Sequence, residues 1–198
     1  HAVASLTGLS REWNLRPVVF ADAGDEDQAA SVAERLGWSN AERVAVVFTR
    51  TRQQAAVTWA AERFAELAGR LAREGWHVAL MGGPGEAPAL EALRDRFAPR
   101  IPVVAGELGL RALVCLLRRA TLVISPDTGP RHLANAAGAR VCFFRNLGAA
   151  EVETGRYLDT EIDLSAGLPG LMPIAEQRRL LDGISVDRVF AAASGARE

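Results

Sequence analysis

Leu122-Val123-Ile124-Ser125-Pro126-Asp127-Thr128-Gly129-Pro130-Arg131-His132 is the stretch on which the fold turns. Leu122-Val123-Ile124 is a short apolar run, the pattern of a strand covered on both faces. A helix start follows within a few residues. Asp127 or Thr128 can cap it, Gly129 lets the backbone approach a ligand, and Pro130 suits the first turn. The helix is expected over Arg131 to Ala137, and the next strand is Val141-Cys142-Phe143-Phe144.

Working upstream, the same alternation repeats. Val44 to Phe48 is a continuous apolar run, and Trp59 to Arg73 places Trp59, Phe64, Leu67, Ala68 and Leu71 close to helical spacing before Gly75. Val78 to Met81 is a second buried strand that ends in Gly82-Gly83-Pro84-Gly85. Glu86 to Phe97 reads as a helix, Pro102 to Val104 as a short strand, and Leu110 to Arg119 as a segment apolar on one face. Strands alternating with helices at this rhythm predict an α/β domain: a Rossmann-like, doubly wound parallel sheet over about residues 43–145.

The flanks are less regular. Pro17 to Phe20 is a short strand or an extended connection, and Asp25 to Leu36 reads as a helix ended by Gly37. Downstream, Gly148, Gly155, Gly167, Pro169, Gly170 and Pro173 make Asn146 to Arg179 read as irregular loop. Ile184 to Phe190 looks like the start of a last helix, with Ser185 as its cap.

Composition limits the partners. The chain has 198 residues, 49% of them hydrophobic, enough for one large domain or a domain with an appendage. A formal charge of −1 offers no general attraction to nucleic acid or anionic lipid. All fixed positive side chains are arginine, because the sequence contains no lysine. Cys115 and Cys142 sit in apolar runs and read as buried free thiols, which suits a reducing, cytoplasmic setting. No apolar run approaches the roughly 20 residues of a membrane span, and no signal-peptide pattern is visible. The start at His1 suggests a processed or excised piece, the distal part of a longer protein.

In open parallel sheets a ligand binds beyond the carboxyl ends of the strands. Three unusual loops are expected there, after Phe48, Met81 and Ile124. At the last of these, free backbone N–H groups at the helix start would bind a phosphate, and His132 in the first turn can turn a ring nitrogen toward the same anion. An ordinary capped helix with a surface histidine is the competing reading; the histidine at this offset, with Thr128 beside Asp127, favours a site. Asp-Thr-Gly also occurs in retroviral-type aspartic proteases, but in an all-β chain, so context excludes that reading. Glu86 could accept hydrogen bonds from ribose hydroxyls, or it could be an acid at a helix start. The glycine run before it is neither Gly-x-Gly-x-x-Gly nor a P-loop. Thr49-Arg50-Thr51-Arg52-Gln53-Gln54 carries two arginines and two hydroxyls that could hold phosphates, or it is a solvated polar loop.

These residues resemble glycosyltransferase family nine, the ADP-heptose:lipopolysaccharide heptosyltransferases. Asp127-Thr128-Gly129-Pro130-Arg131-His132-Leu133-Ala134-Asn135-Ala136-Ala137-Gly138 is similar to the family's Asp-Ser/Thr-Gly-Pro-x-His-Leu-Ala-Ala-Ala-x-Gly. Leu80 to Glu86 resembles its Leu-x-Gly-Gly-x-x-Glu segment, and Trp59 to Leu67 its Trp-Pro-x-Glu-x-Phe-x-Glu-Leu helix. The likeness runs in order from about Arg43 to the C-terminus.

The resemblance implies the C-terminal, donor-binding half of a GT-B type glycosyltransferase, with residues 1–42 an N-terminal extension or interdomain connection and 43–198 the nucleotide-sugar donor-binding domain. It implies an ADP-sugar donor, a lipopolysaccharide-type acceptor bound by the other half, inverting transfer, and no metal or other cofactor. Asp127, Thr128, Gly129 and His132 would hold phosphates and sugar, Glu86 the ribose, Thr51 and Arg52 the phosphates, and Leu108 would lie near the adenine. A general base would sit in the other half, so this piece alone would bind donor and turn nothing over. The implied location is cytoplasmic, with peripheral association at the inner face of a bacterial inner membrane. The chain departs from the family in three respects: about 40 residues before Arg43 are too few for the acceptor-binding half, and two motifs differ. Val57 stands where the family has a phosphate-binding lysine, and Phe144-Arg145-Asn146-Leu147 replaces Phe-Gly-Pro-Thr. The alternative is a non-catalytic nucleotide-sugar-binding or interaction domain derived from the same fold.

Overall fold

The computed structural model describes residues 17–49, 58–148, 157 and 161–195. Among these, the strands are β1 (Val44–Phe48), β2 (His77–Gly82), β3 (Val103–Ala105), β4 (Leu122–Pro126), β5 (Val141–Phe144) and β6 (Glu161–Asp163). The helices are α1 (Ala23–Arg35), α2 (Ala61–Arg73), α3 (Ala87–Phe97), α4 (Leu110–Leu117), α5 (Gly129–Ala137), α6 (Ile174–Asp182) and α7 (Val186–Ser194). The strands form one sheet in the order β3-β2-β1-β4-β5-β6, with every pairing parallel. The order runs outward from β1 in one direction and then reverses between β1 and β4. That reversal is the topological switch point at which doubly wound sheets open a ligand crevice.

Period-two alternation in the continuous apolar strands feeds a core on each face of the sheet. Ala45 and Val47 of β1 join Leu80, Ile124 and Phe144 on the face covered by Phe64, Leu67 and Leu71 of α2, Leu181 of α6 and Val189 of α7. Val44, Val46 and Phe48 join Met81, Val123 and Phe143 on the face covered by Ala29 and Val32 of α1, Cys115 to Leu117 of α4 and Ala134 of α5. Trp59 anchors the first core. Its indole stacks on Phe144 at 4.8 Å, meets Phe64 edge-on at 5.0 Å, and donates from Nε1 to the Ile184 carbonyl at 2.9 Å. Both cysteines are buried free thiols, and burial pushes the Cys142 thiol up to about 12.

Several local expectations need adjustment. The helix expected from Trp59 starts at Ala61, and Pro17 to Phe20 forms no strand and is a connection. Asp22 starts α1 with a reciprocal capping box to Asp25, and the Asp25 amide it accepts from, helped by Arg111, lowers the Asp22 pKa. In the stretch read as irregular loop, the structure contains β6 and most of α6. β6 has only three residues, too few to show a period, and it exists because β5 offers a parallel edge on which Val141 pairs Glu161 and Phe143 pairs Asp163. Pro173, read as a loop signal, is the residue from which α6 starts.

Candidate functional site

Strand register builds the site. Phe48 pairs Met81, Val47 pairs Ile124, Gly82 pairs Ala105 and Pro126 pairs Phe144. Extending the β1 register by one residue places Thr49 level with both Gly82 and Pro126. The three loops singled out in the sequence therefore leave from one carboxyl edge, and two of them, after β1 and β4, flank the switch point.

The turn from β4 into α5 is held by a buried charge network. Arg131 has a fully buried side chain and donates through Nε and Nη2 to the two Glu161 oxygens, each at 2.7 Å. Its Nη1 donates to Asp127 Oδ1 at 2.7 Å, and its guanidinium lies 3.7 Å from the Phe143 ring centre. Asn135 Nδ2 donates to Glu161 Oε1 at 2.6 Å and to the Arg131 carbonyl at 2.9 Å. Burial opposes the arginine's charge, but the hydrogen bonds to Glu161 and Asp127 outweigh it and hold Arg131 above the ordinary arginine value. Asp127 is thus a buried partner of Arg131 before it is anything else; its side chain is only 8% exposed.

Thr128 is the N-cap residue of α5, with an extended backbone, but its side chain does not cap the helix. Its Oγ1 lies 3.4 Å from the Pro126 carbonyl. The Arg131 amide is taken by the Thr128 carbonyl, and Pro130 carries no amide hydrogen. Gly129 is the first helical residue, so its N–H has no intrahelical acceptor. The first turn therefore offers fewer amide donors than the sequence pattern suggested, and Gly129 supplies the exposed one. Gly129 is an exposed residue, and a Cβ built on it meets nothing within 4 Å. His132 is exposed, and its Nδ1 lies 3.2 Å from the Tyr157 hydroxyl.

The loop after β2 is closed on itself. Glu86 Oε2 accepts from the Gly83 amide at 2.7 Å, so this carboxylate braces its own glycine turn. A Cβ at Gly82 would stand 2.7 Å from Leu90 Cδ1 and 2.9 Å from Glu86 Oε2, so a side chain there would push both aside. Leu108 follows β3 at the same edge and is half-buried against the core beneath α1 and α4. Thr51, Arg52 and Val57 lie outside the described residues. Thr49 and Thr58, at the two ends of that loop, are buried, and their hydroxyls have no hydrogen-bond partner among the described residues.

Sequence reasoning assigned no role to Arg131, Asn135, Glu161, Tyr157 or Thr58, whereas Thr49 is one of the two hydroxyls it singled out after β1. Asp127 and Arg131 stand at i,i+4, a readable helix-pair spacing, but nothing local marks Glu161, 30 residues further on. Two surface hollows, one between α2 and α7 around Arg63, Arg70 and Asp187 and one around Gly69 and Ile101, lie away from the switch point. Among the described residues, no group of three or more His, Cys, Asp or Glu could hold a metal, and no helix is long and apolar enough to cross a membrane.

The sequence model of glycosyltransferase family 9 (heptosyltransferase) matches residues 11–144. The chain belongs to this family. The match begins ahead of β1, takes in α1, and ends with the last residue of β5. No curated protein matches the chain. Among solved structures, the glycosyltransferase family 9 protein from Veillonella parvula DSM 2008 aligns with a TM-score of 0.77 at 19% identity, over 98% of this chain and 57% of its own. The ADP-heptose LPS heptosyltransferase II of E. coli aligns with a TM-score of 0.69 at 18% identity, over 92% and 54%. The E. coli heptosyltransferase WaaC, solved with ADP-2-deoxy-2-fluoro heptose, aligns with a TM-score of 0.55 at 23% identity, over 94% and 50%. At these identities the likeness establishes the fold, a Rossmann-like unit of the GT-B type. This family member spans about half the length of those structures.

Proposed function

We propose that this chain is the C-terminal, nucleotide-sugar donor-binding half of a heptosyltransferase-like enzyme, and that its donor is an ADP-sugar. The observation that carries the reading is the start of α5 beside the β1/β4 switch point, with Gly129 exposed and its N–H without an intrahelical acceptor, no side chain capping the turn, and His132 exposed in the same turn. A helix start in that position favours a diphosphate by its dipole and its unpaired amide. The buried hydroxyls of Thr49 and Thr58, without a partner among the described residues, flank the loop from which the phosphate contacts of this reading come. The E. coli relative solved with an ADP-heptose analogue supports the choice of nucleotide and sugar class.

In this reading Gly129 N–H, Thr128 and His132 contact the diphosphate, while Asp127 holds the turn through Arg131 and offers its second oxygen to the sugar. Thr51 and Arg52 contribute from the loop after β1, where arginine stands in for the family's lysine as the source of positive charge. Guanidinium and ammonium differ in hydration and geometry, so the contacts differ in detail. Leu108 lies beside the base. Glu86 reaches the ribose only through whatever acceptor capacity its brace to Gly83 leaves. The acceptor hydroxyl attacks the anomeric carbon from the face opposite the diphosphate, its proton passes to a base in the other half, and the bond to the β-phosphate oxygen breaks. Preorganised donors at the start of α5 stabilise the charge that develops on the departing diphosphate. The acceptor is a lipopolysaccharide-type glycan held by the other half, and the enzyme works at the cytoplasmic face of the inner membrane.

Calorimetric titration with ADP, UDP and GDP tests the reading. ADP is expected to bind most tightly, and His132→Ala to weaken it. Failure of all three nucleotides to bind at millimolar concentration would overturn the assignment.

A further inference from the structure

We propose that Tyr157 is a positioning residue for His132, fixing the imidazole so that Nε2 presents a proton to the bound anion. The inference rests on the diphosphate reading above and names a residue outside the motif that suggested it. A neutral imidazole donates from one nitrogen only, and the other must accept. A histidine that meets a phosphate must therefore carry its proton on the nitrogen facing the ligand. The Tyr157 hydroxyl lies 3.2 Å from Nδ1, and the two rings meet edge to face at 84° with centroids 6.0 Å apart. A phenol that donates to Nδ1 assigns the ring proton to Nε2.

Tyr157 can act this way because its own backbone is tied down. Its amide donates to Glu161 Oε2 at 2.9 Å, and that carboxylate is the one held by Arg131 and Asn135 behind α5. Arg131 also lies 5.9 Å from the Tyr157 ring centre. A buried, fully paired network thus anchors the backbone that carries Tyr157 over to the exposed His132. The residue next to Arg131 in sequence is in this way oriented by the residue that Arg131 helps to place. The link runs Arg131, Glu161, Tyr157, His132, and it closes around the first turn of α5.

A double-mutant cycle on ADP affinity separates positioning from general support of the fold. Tyr157→Phe, which keeps the ring and removes the hydroxyl, is expected to weaken ADP about fivefold, the size of one modest hydrogen bond. In the His132→Ala background the same change is expected to cost nothing. Equal losses in both backgrounds would overturn the proposal, as would no loss in the wild-type background. Nitrogen-15 spectra of the ligand-free protein, taken where the imidazole is neutral, give a second readout. The Nδ1 resonance of His132, assigned by its disappearance in His132→Ala, is expected to move in Tyr157→Phe, and an unmoved resonance would overturn the contact. Wild-type protein that binds no nucleotide would sink the donor reading and this inference together, whereas binding that ignores Tyr157 sinks this inference alone.

Discussion

Arg131 is the residue on which the site most depends, although nothing about it suggests a ligand contact. Its guanidinium is fully buried between two carboxylates and an aromatic ring. Removing one partner of a buried ion pair leaves an uncompensated charge, which typically costs about 3–5 kcal/mol. Arg131→Met is accordingly expected to lower unfolding stability by about that amount in urea titration. Adding Glu161→Met should recover part of the loss, because an apolar pair has no charge to desolvate; a double variant no more stable than the single one would contradict the account. Cys142 gives a second residue-scale test. Burial raises its thiol to about 12 and raises the Cys115 thiol as well, so the thiolate that reacts with disulfide reagents is scarce near neutrality. Ellman titration at about pH 8 should label neither cysteine in the folded protein and both after unfolding; prompt labelling of Cys142 in the native state would refute its placement. The Asp127-to-His132 motif was legible because glycine and proline just after a strand mark a helix start locally, whereas the value of Arg131 was not, because its second carboxylate arrives from another element.

At the scale of the element, the start of α5 is where a structural role and the proposed binding role can be told apart. Gly129 has an ordinary backbone conformation and open space where a Cβ would stand, so the fold does not require glycine there. Gly129→Ala is expected to leave stability within about 1 kcal/mol, since alanine is the better helix former. The added methyl group would stand beside the exposed amide and is expected to weaken ADP about tenfold, a shift of ~1.4 kcal/mol. Melting curves and calorimetry on this one variant separate the two effects, and unchanged affinity would place the diphosphate elsewhere. The sharpest contrast with the sequence reading also lies at this scale. Helices α2 and α5 announce themselves by spacing and punctuation, but β6 consists of Glu161-Ile162-Asp163, whose only reason to be a strand is the edge of β5 beside it.

For the whole molecule, the strand order matters more than any single loop. Because β1 and β4 are neighbours whose following helices pack on opposite faces, the sheet has at their carboxyl ends the switch point where doubly wound folds open a ligand crevice. Helix α1 closes one face with Ala29, Val32 and Ala33 in the core, and ion pairs from Arg111 to Asp22 and Asp25, from Arg118 to Glu26, and between Arg35 and Glu107 tie it to α4 and its approach. A ligand that binds only the assembled crevice stabilises the entire domain. Saturation with ADP at about 100 times its dissociation constant is therefore expected to add ~2.7 kcal/mol to unfolding stability. A melting temperature insensitive to ADP, in protein that calorimetry shows to bind it, would mean that the nucleotide is held by a part that does not unfold with the sheet.

The amino-acid sequence by itself determined the α/β class, the sites of most strands and helices, and the helix start with Gly129 and Pro130 after β4. These follow from periodicity, capping and turn chemistry, which act over a few residues. Only the tertiary structure decided the order of strands, the adjacency of β1 and β4 at a switch point, the turning of Glu86 onto its own loop, and the pairing of Arg131 with Glu161 and Tyr157 with His132. Those depend on contacts between residues far apart in the chain, where burial and charge compensation, rather than local propensity, choose the partner.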